Sequence, residues 1–184
     1  MNALHALQTR TSVPKLCDPI PSDEELGNIF KSALRAADHS VLRPWRFLLI
    51  KAESRQKLGD LFVKASLKAN PEFSLEKQEK IRNKPLRAPL IVVSISCYEP
   101  HAKVPEIEQD LSAGAATQNM LVAAYAQNIG AIWRTGPMAY DATVKQGLGL
   151  KANEKIIGFV YMGTINGAIK NIPPTSLDDY VQDW

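Results

Sequence analysis

The sequence is poor in the residues that staple or metallate small proteins. It has two cysteines, Cys17 and Cys97, and three histidines in 184 residues. The cysteines have no CxxC spacing, which leaves no redox dithiol and predicts free thiols in a reducing compartment. His101 has Glu99, Glu106 and Glu108 nearby, yet the spacing fits no zinc frame and no HExxH occurs, so no metal is expected. Cys97 closes an apolar stretch and reads as a buried structural thiol.

Long apolar runs are missing too. Leu90–Ile95 and Ile156–Met162 have strand length, far below the ~20 residues that span a bilayer. His5, Gln8 and Arg10 interrupt any N-terminal signal core, which points to a cytoplasmic location. The net charge of +3 is dispersed, as in Lys77, Lys80, Arg82 and Lys84, with acidic residues between, and no basic block suited to nucleic acid forms. There is no GxGxxG after a strand and no GxxxxGK[ST]; Gly147-Leu148-Gly149 lacks the third glycine. There is no GxSxG. No side chain stands out as a nucleophile or general base, so no catalytic residue is assigned.

What is present suits one globular domain: 45% hydrophobic and 22% charged residues, in a chain long enough to bury about 70% of its unfolded surface. Ala3, Leu4 and Leu7 predict a first helix capped by Asn2, followed by a proline-broken loop over Arg10–Pro21. Ser22 and Glu25 form a capping box for a helix from Asp23 to about Ala37. A strand is expected at Trp45–Lys51, a helix capped by Ser54, and a short surface helix within Ser74–Lys84. Pro89–Ser96 reads as a central strand. A long helix runs from Glu106 to about Asn128, with Gly130 at its exit and only small residues over Ser112–Thr117. Ala131–Thr135 and Ile156–Thr164 complete the strands, and Asp141 caps a helix to Leu148. Residues 165–184 form a tail in which Pro173 and Pro174 forbid regular structure, while Leu177, Tyr180, Val181 and Trp184 are apolar anchors. Such a tail is expected to dock, on its own subunit or on a partner.

Three polar islands have no packing role. Arg10-Thr11-Ser12 follows the first helix and offers a guanidinium fork, two hydroxyls and backbone N–H groups, a set suited to phosphate. Arg35-Ala36-Ala37-Asp38-His39 leads into Arg43-Pro44-Trp45-Arg46-Phe47. Trp133-Arg134-Thr135-Gly136 ends a strand, where an arginine beside a tryptophan suits a planar ligand.

These islands, taken in order, resemble the nitroreductase-like flavoproteins. The helix ending in R-[RT]-S, the capped helix running into A-x-D-H and P-W-x-F, and V-P-x-x-E-Q-x-x-S-A-G at Val104–Gly114 carry the resemblance. So do W-R-[ST]-G at Trp133–Gly136 and G-[FY]-x-Y-x-G-T at Gly158–Thr164. The set is similar to the short, single-domain branch of that family and spans residues 2–164. The resemblance implies an α+β fold with a central, mainly antiparallel sheet of about four to five strands. It implies an obligate homodimer, with FMN held at the interface by Arg10, Thr11, Ser12, Trp133, Arg134 and Thr135 of one subunit and by Arg35 and His39 of the other. It places Ala123, Ala124, Tyr125, Ala126, Gln127 and Asn128 near NAD(P)H. With a dimer implied, the apolar anchors of the tail, residues 165–184, are expected to dock it there. Two departures weaken FMN binding: Thr11 stands where the family often has a second arginine, and Pro14-Lys15 where another is common.

The expected activity is transfer of hydride from NAD(P)H through flavin to a small electron-poor acceptor, a nitroaromatic or quinone, in a ping-pong scheme. The alternatives are a non-catalytic flavin-binding carrier or sensor, or a flavoenzyme acting on a specific metabolite. No ribose-reading residue separates NADH from NADPH.

Overall fold

A computed structural model describes residues 1–184. At its centre is an antiparallel sheet of five strands: β1 (Leu16–Cys17), β2 (Trp45–Lys51), β3 (Leu90–Cys97), β4 (Gly130–Arg134) and β5 (Glu154–Ile165). β3 lies between β2 and β5. Phe159–Met162 of β5 pair with both β3 and β4, so β4 takes the opposite edge of β5. β1 pairs with the last two residues of β5. The helices are α1 (Ala3–Thr9), α2 (Asp23–Ala33), α3 (Ser54–Ala69), α4 (Leu75–Arg82), α5 (Glu106–Ala126), α6 (Pro137–Tyr140) and α7 (Ala142–Gly147). No helix is long and apolar enough to cross a membrane.

Strand alternation divides the core. Leu90 and Val92 of β3, with Val160 and Met162 of β5, face α2 and α5. Ile91, Val93 and Ile95, with Phe159 and Tyr161, face α3 and α7. β3 is buried on both sides, which explains its unbroken apolar sequence. Each fully buried Ile or Val contributes about 1.5–3 kcal/mol. The small residues of α5 let it lie close to the sheet: Ala113, Ala116 and Ala124 have no exposed surface, and Gly114 lies beneath the Trp133 ring.

The capping signals act where the sequence places them. Asn2 accepts from His5 N–H, Asp141 from Thr143 and Val144 N–H, and Ser22 and Glu25 close both halves of a capping box. Several boundaries differ from the sequence reading. α2 stops at Ala33, because Arg35 and Ala36 donate to Ser32 and Ala33 carbonyls in tight three-residue turns. Ser54 is the first residue of α3, not its cap; Glu53 is already helical, after a left-handed Ala52. α5 ends at Ala126, and Asn128 rather than Gly130 takes the left-handed position (φ 60°). Ile129 N–H then closes on Ala124 C=O and Asn128 N–H on Tyr125 C=O, a Schellman motif in which asparagine replaces glycine. β1 falls in the stretch expected to be loop, and α6 is a further short helix before Asp141. Cys97 is only half-buried.

Gly158 has a packing cause. A Cβ there would collide with the Trp133 indole, whose Nε1–H donates to Ile157 C=O at 3.3 Å. G158A is expected to cost about 1–3 kcal/mol through overpacking, read as a lowered thermal midpoint. G27A, where a Cβ meets nothing within 4 Å, is expected to raise stability by up to about 1 kcal/mol, since alanine is the better helix former. Equal effects of the two would contradict the packing role.

Candidate functional site

The free edge of β4 gathers the sequence-nominated residues of one subunit. Arg10 caps the C-terminus of α1, its N–H donating to Ala6 C=O. The chain then turns to meet β4 from outside the sheet, where Val13 N–H donates to Ala131 C=O at 3.0 Å. Thr11 is buried, at 7% exposure, although it carries a hydroxyl. The Arg10 Nη1 is shielded from solvent and has no hydrogen-bond partner.

Further along β4, Trp133 and Arg134 point to opposite faces of the sheet, as strand geometry requires. Trp133 belongs to the α5 face, packed over Gly114 and Gly158, and its one donor is committed to Ile157 C=O. Both residues nevertheless border one cavity. Arg134 lies on the other face with its guanidinium 5.6 Å from the Tyr161 ring centre. Its Nε is buried without a partner. Together with Thr135, Gly136, Phe62 and Phe159 it lines a cavity of about 490 Å³. Lys84, expected on a solvated face, and Arg87 line the same cavity. The short 3-10 turn Lys84–Arg87 brings them there, and only the fold shows it. Burial pushes the Tyr161 phenol up; the charges of Arg134 and Arg87 oppose this.

Only three buried side-chain N or O atoms lack a partner: Arg10 Nη1, Arg134 Nε and Ser96 Oγ. Two are guanidinium nitrogens flanking β4. An unpaired buried donor of this kind costs roughly 1–3 kcal/mol or more, which an anion would recover.

Arg35 and His39 lie elsewhere. Arg35 follows α2 and borders a shallow groove with Ala6, Leu7, Asn119 and Val122. His39 Nδ1 is 2.6 Å from Glu108 Oε2 at the start of α5. No hydrogen bond joins either residue to the Arg10 turn. Both sit on a face where Leu4, Leu7, Leu34, Val41, Ile107 and Leu111 are each more than half exposed. Of the segment nominated for NAD(P)H, Ala124 is wholly buried in the core. Gln127 holds Glu25 and Ala123 carbonyls, and Asn128 closes α5. Tyr125 OH donates to Thr9 Oγ1 at 3.0 Å. This segment knits α5 to α1 and α2, with Ala123, Tyr125 and Ala126 half-buried at its surface.

Residues 7–164 match the Nitroreductase family. The chain belongs to the nitroreductase family. One relative, named "Putative NAD(P)H nitroreductase YdjA" from Escherichia coli (strain K12), is 38% identical over 164 residues, covering 89% of this chain and 88% of that one. The nitroreductase-like family protein from Bacillus cereus superposes with a TM-score of 0.84 at 21% identity, covering 100% of this chain and 96% of that one. A Bacteroides fragilis nitroreductase whose structure holds FMN gives 0.78 at 18% identity, over 100% and 99%. This nitroreductase thus shares the family's antiparallel sheet flanked by helices.

A second buried charge is structural. Glu154, 4% exposed, accepts from Arg46 Nε and Nη2 at 2.7 Å each and from Lys151 N–H at 2.8 Å. The Arg46 hydrogen bonds, aided by the Lys151 N–H, lower its pKa to about 2. Cys97 Sγ lies 3.7 Å from the same carboxylate, and burial pushes this thiol up to about 11, so it is protonated at neutral pH. Because the Glu154 pKa is depressed on folding, its contribution is complete above the unfolded value near 4.5 and is lost as pH falls toward 2. E154Q is expected to lower stability by about 1–3 kcal/mol at pH 7, a difference that shrinks below pH 4 in denaturant titrations. A pH-independent difference would contradict this.

Proposed function

We propose that this chain is an FMN-dependent oxidoreductase that takes hydride from NAD(P)H and passes it to a small electron-poor acceptor of nitroaromatic or quinone type. The observation that carries the reading is the pair of unpartnered guanidinium nitrogens along β4. The residues fit a phosphorylated flavin. Arg10 offers a charged donor to the phosphate, with Thr11 and Ser12 beside it, while Trp133, Arg134 and Thr135 border the ring site.

Bound FMN would supply the hydride chemistry. The protein's part is positioning and electrostatics: Arg10 anchors the phosphate, the open edge of β4 offers backbone groups to the ring, and Arg134 sets positive charge beside it. NAD(P)H and acceptor would use one open face in turn. The half-buried surface of Ala123, Tyr125 and Ala126 is where the nicotinamide nucleotide would approach.

In our reading the protein works as a homodimer. The apolar face around Leu7, Leu34, Ile107 and Leu111 is the surface a second copy would cover, bringing Arg35 and His39 to the flavin of the other subunit. Residues 1–184 act as one domain, and the tail docks across the pair. Its Ile172, Leu177, Tyr180, Val181 and Trp184 are all more than half exposed in a single copy. The polypeptide is cytoplasmic.

Flavin-free protein mixed with FMN tests this directly. A yellow complex bleached by NAD(P)H supports a reductase, whereas colour without bleaching would leave a carrier. R10Q is expected to weaken FMN by roughly ten- to a hundredfold, the loss of one charged hydrogen bond, measured by fluorescence titration. Wild-type affinity in R10Q would remove Arg10 from the site. R35Q should also weaken FMN, and dilution below the dimer dissociation constant should release it; flavin held tightly by monomers in sedimentation runs would overturn the shared site.

A further inference from the structure

The loop between α2 and β2, which carries His39, holds an unfavourable backbone. Ser40, Val41 and Arg43 have φ of 63°, 55° and 51°. That is the left-handed region, which residues other than glycine avoid, and a β-branched valine there is an outlier. Such a conformation persists only where its surroundings fix it. Arg43 N–H donates to Asp38 Oδ2 at 2.6 Å, which closes the loop on itself. Trp45 N–H donates to Arg43 C=O at 2.7 Å at its exit. One hydrogen bond ties residues 39–43 to a part of the chain distant in sequence: His39 Nδ1 to Glu108 Oε2, at 2.6 Å.

Glu108 stands in the first turn of α5, the longest helix, whose alanines pack it against the sheet. A carboxylate in that turn is favoured by the helix dipole. The anchor is thus a rigid element rather than a second loop. An ionised carboxylate only accepts hydrogen bonds, so Nδ1 carries a proton. No hydrogen bond engages Nε2, and 52% of the His39 side chain is exposed. In the neutral ring Nε2 is then an acceptor, because the partner of one imidazole nitrogen sets what the other can do. The histidine is held at one nitrogen and offered at the other.

We propose that Glu108 is a positioning residue for the flavin site. It fixes the ring orientation and tautomer of His39, so that Nε2 is presented across the dyad as an acceptor for a hydroxyl or imide N–H of the flavin bound to the other subunit. Glu108 touches no ligand and acts only through His39. The strained loop is the frame for this: closed by Asp38 and tethered by Glu108, it cannot swing the histidine away. The inference rests on the reading above that His39 reaches FMN, whereas the tautomer of His39 is a property of the flavin-free chain.

The test is a double-mutant cycle read by FMN fluorescence titration, with nitrogen-15 spectra of the flavin-free protein beside it. E108A is expected to weaken FMN about two- to tenfold, the net worth of one hydrogen bond. E108Q, whose amide oxygen still accepts from Nδ1–H, should recover most of that loss. In an H39A background, E108A should cost nothing further, since its effect passes through the ring. The spectra should show the neutral His39 ring protonated on Nδ1 in the wild type and in E108Q, and that bias should vanish in E108A. Unchanged FMN affinity in E108A would overturn the proposal. So would an equal loss with and without His39, or a wild-type ring protonated on Nε2. A loss of FMN in E108A that follows dissociation of the dimer in sedimentation would make Glu108 an interface contact and overturn it as well. If H39A itself leaves FMN affinity intact while R10Q weakens it, the flavin reading stands and this role falls. Wild-type protein that takes up no FMN sinks the flavin reading and this role with it, even where the spectra show the Nδ1 tautomer.

Discussion

Guanidinium groups seldom lie in a folded protein with nitrogens both buried and unpaired, because removing a charge from water without a partner is unfavourable. Here two do so: Arg10 Nη1, in the turn tied to β4, and Arg134 Nε, at the end of that strand. The rest of the molecule keeps them there. α5 packs close against the sheet through alanines, and Gly158 and Gly114 leave room for Trp133, which fixes β4 against β5 and so fixes the face on which Arg134 emerges. Val13 pins the Arg10 turn to the outside of the same strand. The core thus holds these two guanidinium nitrogens at fixed places beside β4.

A protein that delegates hydride chemistry to a bound ring needs charge and shape at fixed places, not a nucleophile. The titratable groups that are strongly perturbed, Glu154, Cys97 and Lys155, lie away from β4's free edge and are held by structural partners: Arg46 beside Glu154 and Cys97, and Asp110 with Tyr98 beside Lys155.

Much of the fold was legible in the sequence because its signals are local. The capping box at Ser22 and Glu25, the doubly apolar β3 and the small-residue α5 each follow from periodicity or cap chemistry within one element. The ends were less legible where a non-local bond decides them. Asn128 displaced Gly130 as the left-handed residue because the Schellman closure depends on where Ile129 can reach Ala124. At the site, Arg10 and Arg134 stand in recognisable short motifs. Lys84 and Arg87 do not: they lie in a charged, polar stretch that resembles any solvated surface, and only the α4-to-β3 turn carries them to the cavity. Trp133 and Arg134, adjacent in sequence, take opposite faces of β4, yet both border one cavity.

The most direct check of the central claim is thermal unfolding of flavin-free protein with FMN or with riboflavin, which differ only in the phosphate. At a hundredfold excess over its dissociation constant FMN adds about 2.7 kcal/mol, or roughly 5–10 °C for a chain of this size. The account predicts that shift for FMN and a much smaller one for riboflavin at equal concentration. Equal shifts for both, or none for either, would contradict it.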